Sequence, residues 1–159
     1  MPQALPFSNG MKDYIQNKKA FFNYEIQEEF EAGIELLGLE ARSVRANQGN
    51  LDSSYIIVRG GEAFLVGADI PAFQPKNSPK DYERMRNRKL LLTKEEIQKL
   101  ATSSETKGLT LVPISLYNKN RKIKLKLAIA RGKKKFDKRE SIKKRDTDRE
   151  MRRTLKKEN

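Results

Sequence analysis

The sequence contains no cysteine and no histidine. The first absence excludes disulfides and thiolate metal sites. The second removes the commonest general base and the usual imidazole ligand for zinc, copper or iron. Long apolar runs are missing as well: no stretch approaches the roughly 18 residues that cross a bilayer as a helix. The opening Met1-Pro2-Gln3-Ala4-Leu5-Pro6 has no signal-peptide h-region. Acids are scattered and outnumbered, 21 Asp or Glu against 34 Lys or Arg, so no paired-carboxylate centre stands out. At 159 residues there is room for one compact domain with extensions. These absences lead to the expectation of a cytoplasmic binding protein, with no metal, no cofactor, no membrane partner and no enzymatic activity.

What is present is positive charge, unevenly placed. The chain is formally +13, and residues 131–159 alone hold 14 Lys or Arg against 6 Asp or Glu. That segment has four large apolar side chains, Phe136, Ile142, Met151 and Leu155, too few to build a core. It reads as a polyanion-binding arm that orders on nucleic acid as condensed counterions are released. On a helix, Lys138, Ile142, Arg145, Arg149, Arg152 and Lys156 would form one largely cationic stripe, with Asp146 and Glu150 off it. Phe136, set among lysines, can stack on an exposed base. A solubilising tail without a defined partner is the alternative.

The chain divides into a flexible lead-in over 1–16, a folded domain over 17–131 and the basic tail over 132–159, expected to be disordered before it meets its partner. From Phe22 to Leu36 the even positions read Phe22, Tyr24, Ile26, Glu28, Phe30, Ala32, Ile34 and Leu36, a long alternating strand with one break. Gly33 near its end permits a bulge or bend. Residues 55–58 and 63–66 flank Gly60-Gly61, a hairpin signal. Residues 109–117 and 123–130 form a second hairpin, the latter with Ile123, Leu125, Leu127 and Ile129 inward and Lys122, Lys124 and Lys126 outward. Helices are expected over about 39–46 and over 94–103, where Thr93 and Glu96 make a capping box. The pattern predicts a mostly β fold, a small closed antiparallel barrel with few helices. The loop from Pro71 to Arg88 is long enough to be functional or mobile.

Two further sets of residues are candidates for contacts. The lysine row Lys122, Lys124, Lys126, with Arg84, Arg86, Arg88 and Lys89 alternating in the same way, reads as a phosphate-contacting surface. The alternative is the solvated face of an edge strand. Glu31 would face outward if Phe30 and Ala32 face the core. A carboxylate there can accept from exocyclic amines or ribose hydroxyls. On the residues alone, an ordinary surface acid or ion-pair partner is the better reading of Glu31.

Six stretches, taken together, carry a resemblance. They are Asn17-Lys18-Lys19-Ala20, Glu29-Phe30-Glu31-Ala32-Gly33-Ile34, Asp52-Ser53-Ser54-Tyr55, Gly61-Glu62-Ala63-Phe64-Leu65, Arg88-Lys89-Leu90-Leu91-Leu92, and Gly132-Lys133-Lys134 followed by Asp137-Lys138-Arg139. In order and spacing the chain resembles the SsrA-binding protein family, also called small protein B, from about residue 12 onward. The resemblance implies an oligonucleotide-binding-type barrel flanked by about three helices, and a monomer when free. It implies an adaptor of trans-translation that grips the tRNA-like domain of transfer-messenger RNA and delivers it to stalled ribosomes. The tail would then enter the vacant decoding centre and messenger channel of the small subunit and order there as a helix.

Carried over by position, Asn17, Glu31 and Leu91 match family positions tied to transfer-messenger RNA, with Lys124 a further candidate beside Lys18, Lys19, Arg88, Lys89, Lys122 and Lys126. Gly132, Lys133, Lys134, Asp137, Lys138 and Arg139 match the tail motif. Phe136 stands where the family has aromatic or imidazole rings, and Ile142, Lys143, Arg145, Arg149 and Arg152 continue the ribosome-facing segment. Phe22 departs from the family, which has a basic or imidazole side chain there. A general ribosome-associated oligonucleotide-binding factor and a carboxylate-dependent nuclease are the competing readings.

Overall fold

The computed structural model describes residues 13–133. Their elements run β1 (Asp13–Gln16), α1 (Lys18–Asn23), β2 (Tyr24–Ile34), α2 (Gly38–Arg45), β3 (Tyr55–Arg59), β4 (Glu62–Val66), β5 (Arg88–Leu91), α3 (Lys94–Glu105), β6 (Leu109–Lys119) and β7 (Lys122–Gly132). The seven strands form one antiparallel sheet in the order β1-β6-β7-β2-β5-β4-β3. The mostly β reading is correct. Two details differ from the sequence expectation.

The first concerns closure. No ladder joins the edge strands β1 and β3 among the described residues, so the barrel is rolled but open. The rolled sheet brings β3 against β6, and α3 packs on both strands there, where pairing would otherwise close the barrel. The second concerns the lead-in. Asp13–Gln16 form β1 on β6, and α1 occupies Lys18–Asn23, where the alternation had suggested the long strand already begins. The Phe22-to-Tyr24 step therefore belongs to a helix end, and strand period starts only at Tyr24.

The break in the alternation has a structural cause. The β2–β7 register shifts between Ile26 and Glu28, a bulge that sets Glu28 out of phase. Gly33 is not bulged. It lies opposite Lys124 of β7 and also opposite Leu91 of β5, where β2 leaves one partner for the other. A Cβ on Gly33 would sit 3.2 Å from the Cβ of Leu91, so the corner needs a residue without a side chain.

Alternation places two apolar clusters on opposite faces of the sheet. The inner one contains Phe30, Leu65, Leu90, Leu111, Leu116, Leu125 and Leu127, joined by Val44 of α2 and Leu100 of α3. Burying each such side chain contributes about 1.5–3 kcal/mol, which makes this cluster the main source of stability. The outer one, Val112, Ile114, Ala128 and Ala130 with Tyr24 and Ile26, lies beside α1, which packs on β2 and β6 and buries Ala20. No helix among the described residues is long and apolar enough to cross a membrane.

Candidate nucleic-acid interface

Register assigns the outer face row by row, because residues directly opposite one another on paired strands share a face. One row runs Tyr117–Lys124–Gly33–Leu91 across β6, β7, β2 and β5. The next runs Gln16–Ser115–Lys126–Glu31 across β1, β6, β7 and β2. A third pair, Lys119 and Lys122, closes the hairpin end. Three separate strands, β2, β5 and β7, thus bring Glu31, Leu91, Lys124 and Lys126 onto one surface. Leu91 is 52% exposed there, an apolar side chain at the sheet corner.

Glu31 is the centre of that surface, and it is not a bare acid. Tyr117 donates its hydroxyl proton to the carboxylate, and Lys119 Nζ lies 3.0 and 3.2 Å from its two oxygens. Burial opposes ionisation of Glu31, but the Tyr117 and Lys119 hydrogen bonds and the charges of Lys119 and Lys124 outweigh it, holding the carboxyl below its usual range. Burial and the bond to Glu31 push the Tyr117 phenol far up, so it stays a donor at any working pH. Lys126 Nζ sits 6.0 Å from the Tyr117 ring centroid and 3.8 Å from Glu29. The ion-pair reading of Glu31 holds in the free protein. Tyr117 and Lys119, which sequence reasoning missed, are its partners.

Asn17 reaches the same face from the turn between β1 and α1. Its backbone N–H donates to Ile114 O at 2.7 Å and its Nδ2 to Pro113 O at 2.9 Å, on the bulged segment of β6. It is buried, at 7% exposure. Lys18 and Lys19 follow on the exposed side of α1, Lys19 near Asp52 at 3.9 Å. Phe22 also lies on α1, partly buried.

One member of the arginine row, Arg88, does not reach the surface. Arg88 is completely buried and contacts no solvent. Its Nε and Nη2 donate to Glu40 Oε2 at 3.0 and 2.6 Å, and its remaining N–H groups reach the carbonyls of Ala68, Arg86 and Arg84. Arg86 donates to the same carboxylate at 2.9 and 2.5 Å, and Tyr82 Oη lies 2.9 Å from it. Glu40 in turn accepts from Leu37 N–H at 2.8 Å and so caps α2. Burial raises the Glu40 pKa, yet the Arg86, Leu37 and Arg88 interactions bring it below the ordinary value. Arg84 pairs with Asp69 at 2.8 Å and Lys89 with Glu62 at 3.4 Å. Tyr82, Arg84, Arg86 and Arg88 fasten the 69–88 loop to α2 and the core, while Lys89 ties β5 to β4. In the free protein Arg88 is enclosed and presents no surface to RNA. Alternation alone did not show that Arg88 turns inward, because a cation can satisfy its charge there when a carboxylate is buried opposite.

Of the tail motif, Gly132 and Lys133 are described: Gly132 pairs with Tyr24, and Lys133 donates from N to Asn23 O and from Nζ to Phe21 O. Lys134, Phe136, Asp137, Lys138, Arg139, Ile142, Lys143, Arg145, Arg149 and Arg152 lie outside the described residues. No group of three or more His, Cys, Asp or Glu side chains among the described residues is placed to hold a metal ion.

A family model described as SmpB protein matches residues 14–157. The chain belongs to the SmpB family. Members that it resembles include the SsrA-binding protein of Thermosynechococcus vestitus, 45% identical over 93% of this chain and 97% of the relative. Another is the SsrA-binding protein of Caldicellulosiruptor bescii, 46% identical over 93% of each. Among solved structures, a chain from "tmRNA-SmpB: a journey to the center of the bacterial ribosome" superposes with a TM-score of 0.64. It is 40% identical and covers 76% of this chain and 84% of its own. In this SmpB-family chain, Asn17, Glu31, Leu91 and Lys124 lie on the outer β1-β6-β7-β2 face and its corner with β5, while Arg88 belongs to the interior.

Proposed function

We propose that the protein is an RNA-binding adaptor of trans-translation, acting in the cytoplasm without catalysis of its own. It binds the tRNA-like domain of transfer-messenger RNA and carries it to stalled ribosomes. The observation that carries this reading is the convergence of Asn17, Glu31, Leu91 and Lys124, distant in sequence, around one polar and cationic outer face. That face combines donors for phosphate and ribose (Lys124, Lys126, Lys122), an acceptor (Glu31) and an exposed apolar corner (Leu91), the mixture that folded RNA calls for. SsrA-binding relatives and a neighbour solved as tmRNA-SmpB support it. The tail, from Lys134 through Arg152, is proposed to engage the decoding centre and messenger channel, where phosphates replace a core as its source of order.

The test is a titration of the full chain, and of a chain ending at Lys133, against the tRNA-like domain with elongator tRNA as competitor. Both are run at two salt concentrations, since basic chains bind any RNA at low salt. The cut falls after Lys133 because its bonds to Asn23 and Phe21 belong to the folded domain. Selective binding by both chains at the higher salt, with peptide tagging only by the full one, is expected. Equal competition by elongator tRNA would favour a nonspecific basic arm.

A further inference from the structure

Helix α1 is six residues long and caps neither end with its own side chains: Asn17 makes no side-chain cap bond, and no basic residue stands in the last turn. A helix this short is not stable by itself in water. The carbonyls of its last turn carry partial negative charge and need donors from elsewhere. Tyr24 N–H donates to Ala20 O. Lys133 serves two more, its backbone N–H donating to Asn23 O at 2.9 Å and its Nζ to Phe21 O at 3.0 Å. A cation 112 residues from Phe21 thus caps α1, as a lysine in the helix's own last turn would.

Lys133 follows directly on β7, whose Gly132 pairs with Tyr24. The point at which the basic segment leaves the folded domain is therefore tied, by backbone and side chain, to the helix that carries Lys18 and Lys19. In the sequence Lys133 is one of three consecutive lysines, Lys133-Lys134-Lys135, with nothing to single it out. Its ammonium is half-buried and directed at a helix carbonyl rather than held out for a phosphate.

We propose that Lys133 is a positioning residue that clasps the root of the tail to α1, so that RNA held by α1 also sets the place from which the tail leaves the domain. The proposal rests on the RNA-binding reading above and deepens it, joining the RNA-binding face to the ribosome-directed segment. Lys133 acts through α1 and does not itself touch RNA. By reciprocity, RNA that steadies α1 strengthens the Lys133 bonds, and Lys133 strengthens RNA binding by the same factor.

The experiment compares the full chain with Lys133→Met, which keeps the apolar stem and loses Nζ, with Lys133→Arg, which restores a donor, and with Lys134→Met as a charge control. Amide hydrogen exchange is followed without RNA and with the tRNA-like domain, and binding is titrated at several salt concentrations. Without RNA, the Tyr24 and Lys133 amides are expected to exchange about fivefold faster in Lys133→Met, the scale of a lost C-terminal cap. Both should stay near wild type in Lys133→Arg and Lys134→Met, with β6 amides unchanged throughout as the check on folding. The tRNA-like domain should slow exchange at Lys133 in wild type and do so less in Lys133→Met. Affinity should fall about fivefold in Lys133→Met by the same coupling, with the salt slope unchanged. A slope lower by about one would make Lys133 a phosphate contact and overturn the proposal. Unchanged Tyr24 exchange in Lys133→Met would overturn the clasp while RNA binding stands. If wild type does not prefer the tRNA-like domain to elongator tRNA, the RNA reading falls and the coupling with it, while exchange in the free protein still decides whether Lys133 caps α1.

Discussion

Glu40 and Glu31 show how the same side chain does two different jobs. Glu40 is enclosed and bridges two arginines, so removing it strands the fully buried Arg88 guanidinium. Glu40→Ala is expected to lower unfolding free energy by about 3–5 kcal/mol, measured by urea denaturation at neutral pH. Both carboxyls are held below the ordinary carboxylate range, against the burial that would raise them. Their contribution is therefore present above the ordinary carboxylate range and is lost as pH falls below it, through the lowered folded-state range. Stability should drop steeply on that acid side, and the drop should shrink in Glu40→Gln. At the outer face, Tyr117→Phe keeps the ring but removes the donor to Glu31. It should cost about 1 kcal/mol and move the Glu31 carboxyl back toward its ordinary range, read by NMR titration. An unchanged Glu31 titration would mean that Lys119 alone sets its charge state.

Strand β2 is the element on which the surface depends. Its bulge at Ile26–Glu28 and its bare corner at Gly33 let one strand serve β7 first and β5 afterwards. Gly33→Ala would place a Cβ 3.2 Å from Leu91 Cβ, an atom fixed to its backbone, and 3.3 Å from Leu91 Cδ1. The expected cost is roughly 1–3 kcal/mol, with weaker RNA binding because Leu91 is displaced. Gly38→Ala, at the start of α2 with open space around it, is the control and should be neutral or slightly stabilising. Comparing the two by thermal melting separates crowding at the corner from a general intolerance of alanine.

Across the whole molecule, charge is divided between two surfaces. The folded face pairs many of its cations, as in Lys119–Glu31 and Lys126–Glu29, whereas most of the net charge belongs to residues 131–159. The salt dependence of binding to the tRNA-like domain should thus change little on truncation after Lys133, while that of ribosome association should fall markedly. An equal fall in both would place the tail on the RNA in solution. Composition and periodicity by themselves determined the mostly β class, both hairpins, the α3 cap and the cationic tail. Each of those rests on neighbours in sequence, where alternation, turn residues and charge runs act directly. They could not determine which cations face inward. Arg88 and Lys124 look alike in the chain, but a buried carboxylate 48 residues away draws one into the core and leaves the other at the surface. Nor could they show α1, whose six residues are held by packing on β2 and β6 rather than by propensity. Only the tertiary structure sets Tyr117 beside Glu31 and leaves Asn17 Oδ1 unpaired, because both depend on strand register between segments about 90 residues apart.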